Sequence, residues 1–170
     1  MARQVLWRVI YGTSRIHDHP SLVARASKLT IQPALLHDYC RHHVRGVDYP
    51  GIIAQKGESV RGTYVTGLTE VDIRRLDYFE GSEYTRQKVQ ALLISQGDTQ
   101  AAPDAQKVDT ETYVYTAGNN RLEEGEWDFD DFVQNKMHGH WADTSNEYEG
   151  RRTICARVWR SLMQFRSRRC

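Results

Sequence analysis

The sequence holds no run of about 18 apolar residues, the length a helix needs to cross a bilayer, so no membrane span is expected. The opening Met1-Ala2-Arg3-Gln4-Val5-Leu6-Trp7-Arg8 is broken by charge at Arg8 and lacks the apolar stretch of a secretory leader. Cysteine is scarce. Cys40, Cys155 and Cys170 make neither a disulfide framework nor a Cys-x-x-Cys pair, so a reducing, cytoplasmic compartment is the expectation. No Gly-x-x-x-x-Gly-Lys phosphate loop occurs, and no internal repeat or low-complexity tract is evident.

What is present is ordinary for a folded chain. With 170 residues, 39% hydrophobic and 26% charged, it fits one domain with one core and is too apolar to stay disordered. The net charge of +1 is unevenly spread: residues 142–170 carry seven arginines against Asp143, Glu147 and Glu149, leaving residues 1–141 net acidic. A folded domain over 1–141 with a basic extension over 142–170 is therefore expected. Such an extension can touch nucleic acid or acidic lipid, but a solvated tail is the commoner outcome, so neither partner is expected. Nothing in the pattern sets an oligomeric state.

Along the chain, Val5-Leu6-Trp7-Arg8-Val9-Ile10 has the β-branched and aromatic composition of a buried strand. It ends at Tyr11-Gly12-Thr13-Ser14, where glycine eases a turn. Pro20 opens a short helix to Lys28. Leu35–Tyr39 and Tyr49–Ala54 read as strands, and after a Lys56-Gly57 turn another runs from Val60 to Leu68. Thr69, with Asp72 three residues on, caps a helix from Glu70 to about Phe79, and Gly81 stands where a capping glycine belongs. Strands follow at Tyr84–Ile94 and Thr112–Thr116, separated by the loop-like Ser95–Lys107, a candidate lid. Asp128 caps a second helix whose Phe129, Phe132, Val133, Met137, His140 and Trp141 form one apolar stripe. Cys155, Val158, Trp159, Leu162 and Phe165 make a third amphipathic pattern over Thr153–Phe165. Several strands with few helices indicate an α+β fold around a closed or partly closed sheet.

The chemistry concentrates at Leu76-Asp77-Tyr78-Phe79-Glu80-Gly81-Ser82-Glu83-Tyr84. Ile73, Leu76 and Glu80 are spaced three and four apart and share one helix face. If Ile73 and Leu76 face the core, they carry the Glu80 carboxylate inward. A carboxylate held against apolar surface ionises with difficulty, so its pKa rises toward neutrality and it can both accept and donate protons. The alternative is a helix-end glutamate reaching solvent beside Gly81, and periodicity alone leaves the two open. In the turn Tyr11-Gly12-Thr13-Ser14, consecutive N–H groups could form a small anion nest, although a plain tight turn has the same sequence.

Competing constellations are thin. His17/His19, His42/His43 and His138/His140 come in pairs without a third ligand, and on a helix His138 and His140 diverge by about 200°, so no metal is expected. Cys40 among His37, His42 and His43 lies mid-segment with no activating turn, the setting of a structural thiol.

Taken in order, five segments resemble the AIG2-like branch of the γ-glutamylcyclotransferase superfamily. They are Val9-Ile10-Tyr11-Gly12-Thr13, Val44-Arg45-Gly46-Val47-Asp48-Tyr49-Pro50-Gly51-Ile52, Val60-Arg61-Gly62, Leu76-Asp77-Tyr78-Phe79-Glu80-Gly81-x-x-Tyr84-x-Arg86, and Trp127-Asp128-Phe129-x-x-Phe132. The likeness covers about residues 5–141. It implies a small mixed β-barrel flanked by helices, a catalytic Glu80, and a small-molecule substrate held by Tyr11, Gly12, Thr13, Ser14, Tyr49 and Tyr84. It requires no cofactor. The reaction it implies is ring closure of a γ-glutamyl compound on its own α-amine, giving 5-oxoproline. One departure is Ser14, where the family's loop usually carries leucine. That polar substitution keeps open a second reading, an acid/base tailoring enzyme (a cyclase or isomerase) on the same fold. A non-catalytic binding module working through the arginine-rich tail is the third.

Overall fold

The computed structural model describes residues 1–141, with side chains described through Met137. The amphipathic pattern at Thr153–Phe165 and the boundary of the basic extension lie outside the described residues. Helix α1 (Arg3–Tyr11) and a short 3-10 turn (Ile16–Asp18) lead to α2 (Pro20–Ala26) and the long strands β1 (Thr30–His43) and β2 (Pro50–Thr66). Helix α3 (Glu70–Glu80) and a 3-10 turn (Gly81–Glu83) connect to β3 (Tyr84–Leu93) and β4 (Lys107–Tyr115). After a last 3-10 turn (Asn119–Arg121), α4 (Phe129–Asp131) passes into a π-helical stretch (Phe132–Trp141). The fold is α+β.

Where a first strand was expected at Val5–Ile10, the segment is helical. A continuous apolar run suits a buried helix as well as a buried strand, and here burial on two sides decides. Leu6, Trp7 and Ile10 pack with Ile16 and Leu76, while Val5 joins Ala2, Trp127, Phe132 and Met137 on the other side. Tertiary contacts on both faces outweigh the β-preference of Val5, Val9 and Ile10. Gly12 ends the helix with φ at 81°, its N–H donating to the Arg8 carbonyl at 2.9 Å.

The sheet has four strands in the order β2-β1-β3-β4, all described pairs antiparallel. It is open rather than a closed mixed barrel, because the first segment contributes a helix instead of a strand and leaves β2 and β4 as edges. The expected turn at Lys56-Gly57 is instead an irregularity within the single strand β2. Pairing with β1 shifts between His37 and Tyr39, where Asp38 takes φ 62° and its Oδ1 accepts the Gly57 N–H at 2.9 Å. β1 meets β3 at Ala34–Leu93 and Leu35–Leu92, whereas β3 and β4 pair from Tyr84–Tyr115 to Leu92–Lys107.

The helix expected after Asp128 starts as predicted, with Asp128 Oδ1 accepting the N–H groups of Asp130 and Asp131 at 2.8 and 3.0 Å. From Phe132 it widens to π-helical geometry. Residues five apart then align, which puts the buried Phe132 and Met137 on one face.

A third cluster of buried side chains, Val44, Tyr115 and Leu122, lies beneath Tyr49, Ile53 and Tyr84. Gly51 sits on the Tyr115 ring with no room for a side chain: a Cβ there would stand 2.8 Å from Tyr115 Cγ. Gly51→Ala should therefore overpack this corner and lower stability by about 1–3 kcal/mol, read as a lower urea midpoint at unchanged m-value.

Candidate active site

Glu80 is the last residue of α3, and its setting follows from both ends of that helix. At the start, the Thr69 hydroxyl and N–H donate to Asp72 Oδ2 at 2.7 and 3.0 Å, while the Asp72 N–H donates to Thr69 Oγ1 at 3.3 Å. This reciprocal cap fixes the rotation of the helix. Leu76 is consequently buried and Ile73 half-buried in the cluster around Ile10, while Phe79 packs toward Ala2 and Trp127. At the far end Gly81 takes φ 68° and ψ −159°, a backbone state essentially restricted to glycine. Its N–H caps the Asp77 carbonyl, and the chain turns away just after Glu80.

α1 lies antiparallel along α3. Arg75 Nη1 donates to the Ile10 carbonyl, and Tyr11 stands within electrostatic reach of Asp72 near the start of α3. At the opposite end the enclosed α-amine of Met1 faces Glu80. Burial pushes the Glu80 pKa from 4.5 up to about 7, and the Met1 ammonium pulls it only partly back. Among the described residues no hydrogen bond reaches the Glu80 carboxylate to stabilise its charge.

Two phenols share this corner. Burial, and secondarily the Glu80 charge, raises the pKa of Tyr84, whose hydroxyl donates to the Pro50 carbonyl at 2.9 Å. Burial also raises that of Tyr113, followed by its 2.8 Å hydrogen bond to Asp77 Oδ1, with Glu80 adding to the effect. Both stay protonated at neutral pH. Tyr84 packs edge-on against Tyr115, ring centroids 5.3 Å apart. Tyr49 donates to Glu83 Oε2 at 2.9 Å, and Arg121 Nη1 donates to Glu83 Oε1 at 2.7 Å.

The structure thus gathers Glu80, Tyr84 and, through Glu83, Tyr49. The contacts of Tyr11 and Thr13, in the expected loop Tyr11, Gly12, Thr13 and Ser14, are with other residues. The Tyr11 ring stacks on Trp7 and lies under the Arg25 guanidinium, and Thr13 Oγ1 accepts the Arg15 N–H at 3.1 Å. Asp72 and Glu80 are eight helical residues apart, a rise of about 12 Å along α3, and it is Asp72 whose charge acts on Tyr11. Two cavities, of about 290 Å³ under Leu93–Ser95 and Ala102–Gln106 and about 170 Å³ between Leu6 and Pro33, do not have Glu80 in their linings. Three partners of the site were not read from sequence: Glu83, Arg121 and Tyr113. Glu83 lies inside the Glu80-Gly81-x-x-Tyr84 motif, but Arg121 comes from a polar turn with no sequence signal tying it there.

Elsewhere, Cys40 is a free thiol whose pKa is raised by burial and then by Glu126 and Glu58, the reverse of an activated nucleophile. His43 Nδ1 lies 2.9 Å from Glu123 Oε2, and His42 contacts the Glu123 carbonyl and Gln55. Among the described residues no three His, Cys, Asp or Glu side chains converge as metal ligands, and no helix is long and apolar enough to cross a membrane.

The profile of the family described as "Gamma-glutamyl cyclotransferase, AIG2-like" matches residues 9–129. AIG2-like protein D of Arabidopsis thaliana is 33% identical over 130 residues, covering 76% of this chain and 80% of that protein. Protein AIG2 C of the same plant is 31% identical over 100 residues, 59% of this chain and 56% of the relative. A solution structure of an Arabidopsis thaliana protein aligns over 86% of this chain and 76% of its own, with TM-score 0.49 and 23% identity.

The Glu80 environment has a measurable consequence for stability. Its pKa is higher folded than unfolded, so its stabilising contribution is complete below about pH 4.5 and is lost as pH rises through about 7. Glu80→Gln removes this titration. Relative to the variant, the wild type should lose on the order of 3 kcal/mol between these limits, with both curves parallel outside them. Urea unfolding at stepped pH measures the difference; parallel curves throughout would mean a hydrated carboxylate.

Proposed function

The chain belongs to the AIG2-like γ-glutamyl cyclotransferase family, and on that premise we propose that it is an enzyme that cyclises γ-glutamyl compounds to 5-oxoproline with Glu80 as its acid/base group. What carries this reading is a half-buried carboxylate at the end of α3 whose pKa is pushed by desolvation up to about 7, where proton uptake and release are equally accessible at neutral pH.

The chemistry asks little of the protein. The α-ammonium of the substrate gives a proton to ionised Glu80, and the freed amine attacks the γ-carbonyl. The C–N bond that forms closes a five-membered ring. As the old C–N bond breaks, Glu80 returns the proton to the departing nitrogen, and the second proton of the attacking nitrogen leaves with the expelled amine as its ammonium, so 5-oxoproline and that ammonium depart and the carboxylate is regenerated. Because nucleophile and electrophile belong to one molecule, folding the substrate into attack geometry supplies most of the assistance. Tyr84, held protonated by burial, and Tyr49 border the same corner and are proposed as substrate contacts.

The substrate's α-carboxylate and α-amine share one carbon. The resemblance implies the loop Tyr11–Ser14 as the holder of the polar head, yet the carboxylate of α3 that acts on Tyr11 is Asp72, about 12 Å of helix rise from Glu80. That separation, together with Ser14, favours a second reading: acid/base chemistry by Glu80 on a different small molecule. A cytoplasmic location is part of the same proposal, supported by the free Cys40 thiol.

Purified protein offered a panel of γ-glutamyl amines and dipeptides should release 5-oxoproline, with kcat/KM rising to half its plateau near pH 7. Glu80→Gln should lower kcat by about 10²- to 10⁴-fold without lowering the melting temperature. Undiminished turnover in that variant removes Glu80 from the mechanism. Absence of 5-oxoproline, with Glu80-dependent conversion of another compound, selects the second reading.

A further inference from the structure

Two carboxylates stand three residues apart at the junction of α3 and β3, and their surroundings are opposite. Glu80 has no hydrogen-bond partner among the described residues. Glu83 has one for each oxygen: the Tyr49 hydroxyl at 2.9 Å, from just ahead of β2, and the Arg121 guanidinium at 2.7 Å, from the turn beyond β4. Its backbone is held as well, the carbonyl accepting the Thr116 N–H at 2.8 Å and the Thr116 hydroxyl at 3.4 Å. The next residue, Tyr84, reaches the Pro50 carbonyl and packs on Tyr115. Between these anchors and Glu80 lie Ser82 and Gly81, the latter in a backbone state without side-chain restraint. The Glu83–Arg121 pair is half exposed on the arginine side, so as a surface ion pair it contributes little stability. Its value lies in geometry: it ties the short 3-10 turn to two strands that α3 itself does not touch through this bond.

We propose that Glu83 is a positioning residue, gripped by Tyr49 and Arg121 so that the turn after α3 holds the half-buried Glu80 carboxylate turned toward Tyr84 and Tyr113. It touches no substrate. Its kinetic consequence rests on the cyclotransferase reading, while its effect on Glu80 does not. The groups that face Glu80 are the Met1 α-amine from the chain start, Tyr84 from β3 and Tyr113 from β4, with Arg41 of β1 acting on the Met1 amine. Release of the turn rotates Glu80 away from these groups and toward water.

The test uses the full chain, with Glu83→Ala and Glu83→Gln checked for folding by thermal melting. In the first arm, side-chain carboxyl NMR follows the titration of Glu80. Glu83→Ala should lower its midpoint toward the ordinary glutamate range, and Glu83→Gln, whose amide oxygen still accepts one of the two hydrogen bonds, should restore part of the difference. In the second arm, 5-oxoproline release by Glu83→Ala should show kcat reduced about tenfold to a hundredfold with KM within about twofold, the signature of a misaimed group rather than a lost contact. If Glu83→Ala does not fold, Arg121→Gln and Tyr49→Phe each remove one anchor and are read by the same NMR titration. A folded Glu83→Ala protein with the Glu80 midpoint unmoved overturns the proposal, as does a raised KM at unchanged kcat. A moved midpoint in a protein that releases no 5-oxoproline upholds the positioning role and overturns the cyclotransferase reading instead.

Discussion

The site depends on the partial exclusion of water from one half-buried carboxylate, Glu80. α1, lying antiparallel along α3, covers the end of that helix with Ala2, Val5 and the chain start, and Trp127, Phe132 and Met137 close the same side. No compensating hydrogen bond reaches Glu80, so desolvation acts on it almost unopposed, and the single nearby cationic amine offsets only part of the effect. The rest of the arrangement serves this imbalance. The Thr69–Asp72 cap sets which face of α3 turns inward, and Gly81 lets the chain leave without drawing the carboxylate out. Neutral phenols, Tyr84 and Tyr113, rather than basic side chains occupy the neighbouring positions, so the chain-start amine is the one charge that draws the pKa back down.

The parts of the structure legible in the sequence are those where a local signal and the tertiary packing agree. Thr69 and Asp72 announce α3, Ile73-Leu76-Glu80 gives its inward face, and Gly81 its end, because capping and helical periodicity are local properties. The same reasoning fails at Val5–Ile10. There every residue but Arg8 is apolar, so no alternation or helical stripe exists to discriminate, and β-branched composition points to a strand that two-sided packing converts to a helix. Lys56-Gly57 misleads in the opposite sense: a glycine that usually marks a turn is absorbed into β2 because Asp38, across the pair, supplies the hydrogen bond. The stripe after Asp128 is read correctly as helical, but its widening from Phe132 onward depends on burying Phe132 and Met137 together.

Within the site, the sequence reaches Glu80 and Tyr84 through one short motif, and the separation of Tyr11–Ser14 from them follows directly from α1. As a strand, the first segment would have carried its glycine bend elsewhere; as a helix antiparallel to α3, it delivers that bend to the opposite end of α3 and brings the chain start to Glu80. Arg121 and Tyr49 illustrate a different limit. Their meeting at Glu83 joins positions 34 and 38 residues away from it, and no local pattern encodes such a meeting.

The narrow seam between β1 and β3 bears on all of this. Ala34–Leu93 and Leu35–Leu92 are the ladder pairs between the two hairpins, and at the far end of β1 the Val44–Leu122 bridge and the hydrogen bonds from the Glu123 and Trp127 N–H groups to the His43 and Arg41 carbonyls clasp it to the chain beyond β4. The sheet is mechanically a book with a short spine, and α3 is the strap from one cover to the other. Opening the covers would break those clasps as well as the spine, and it would admit solvent to the acidic group at the strap's end and shift that group toward its charged form. Proton affinity at this position is therefore a property of how far the two leaves are shut.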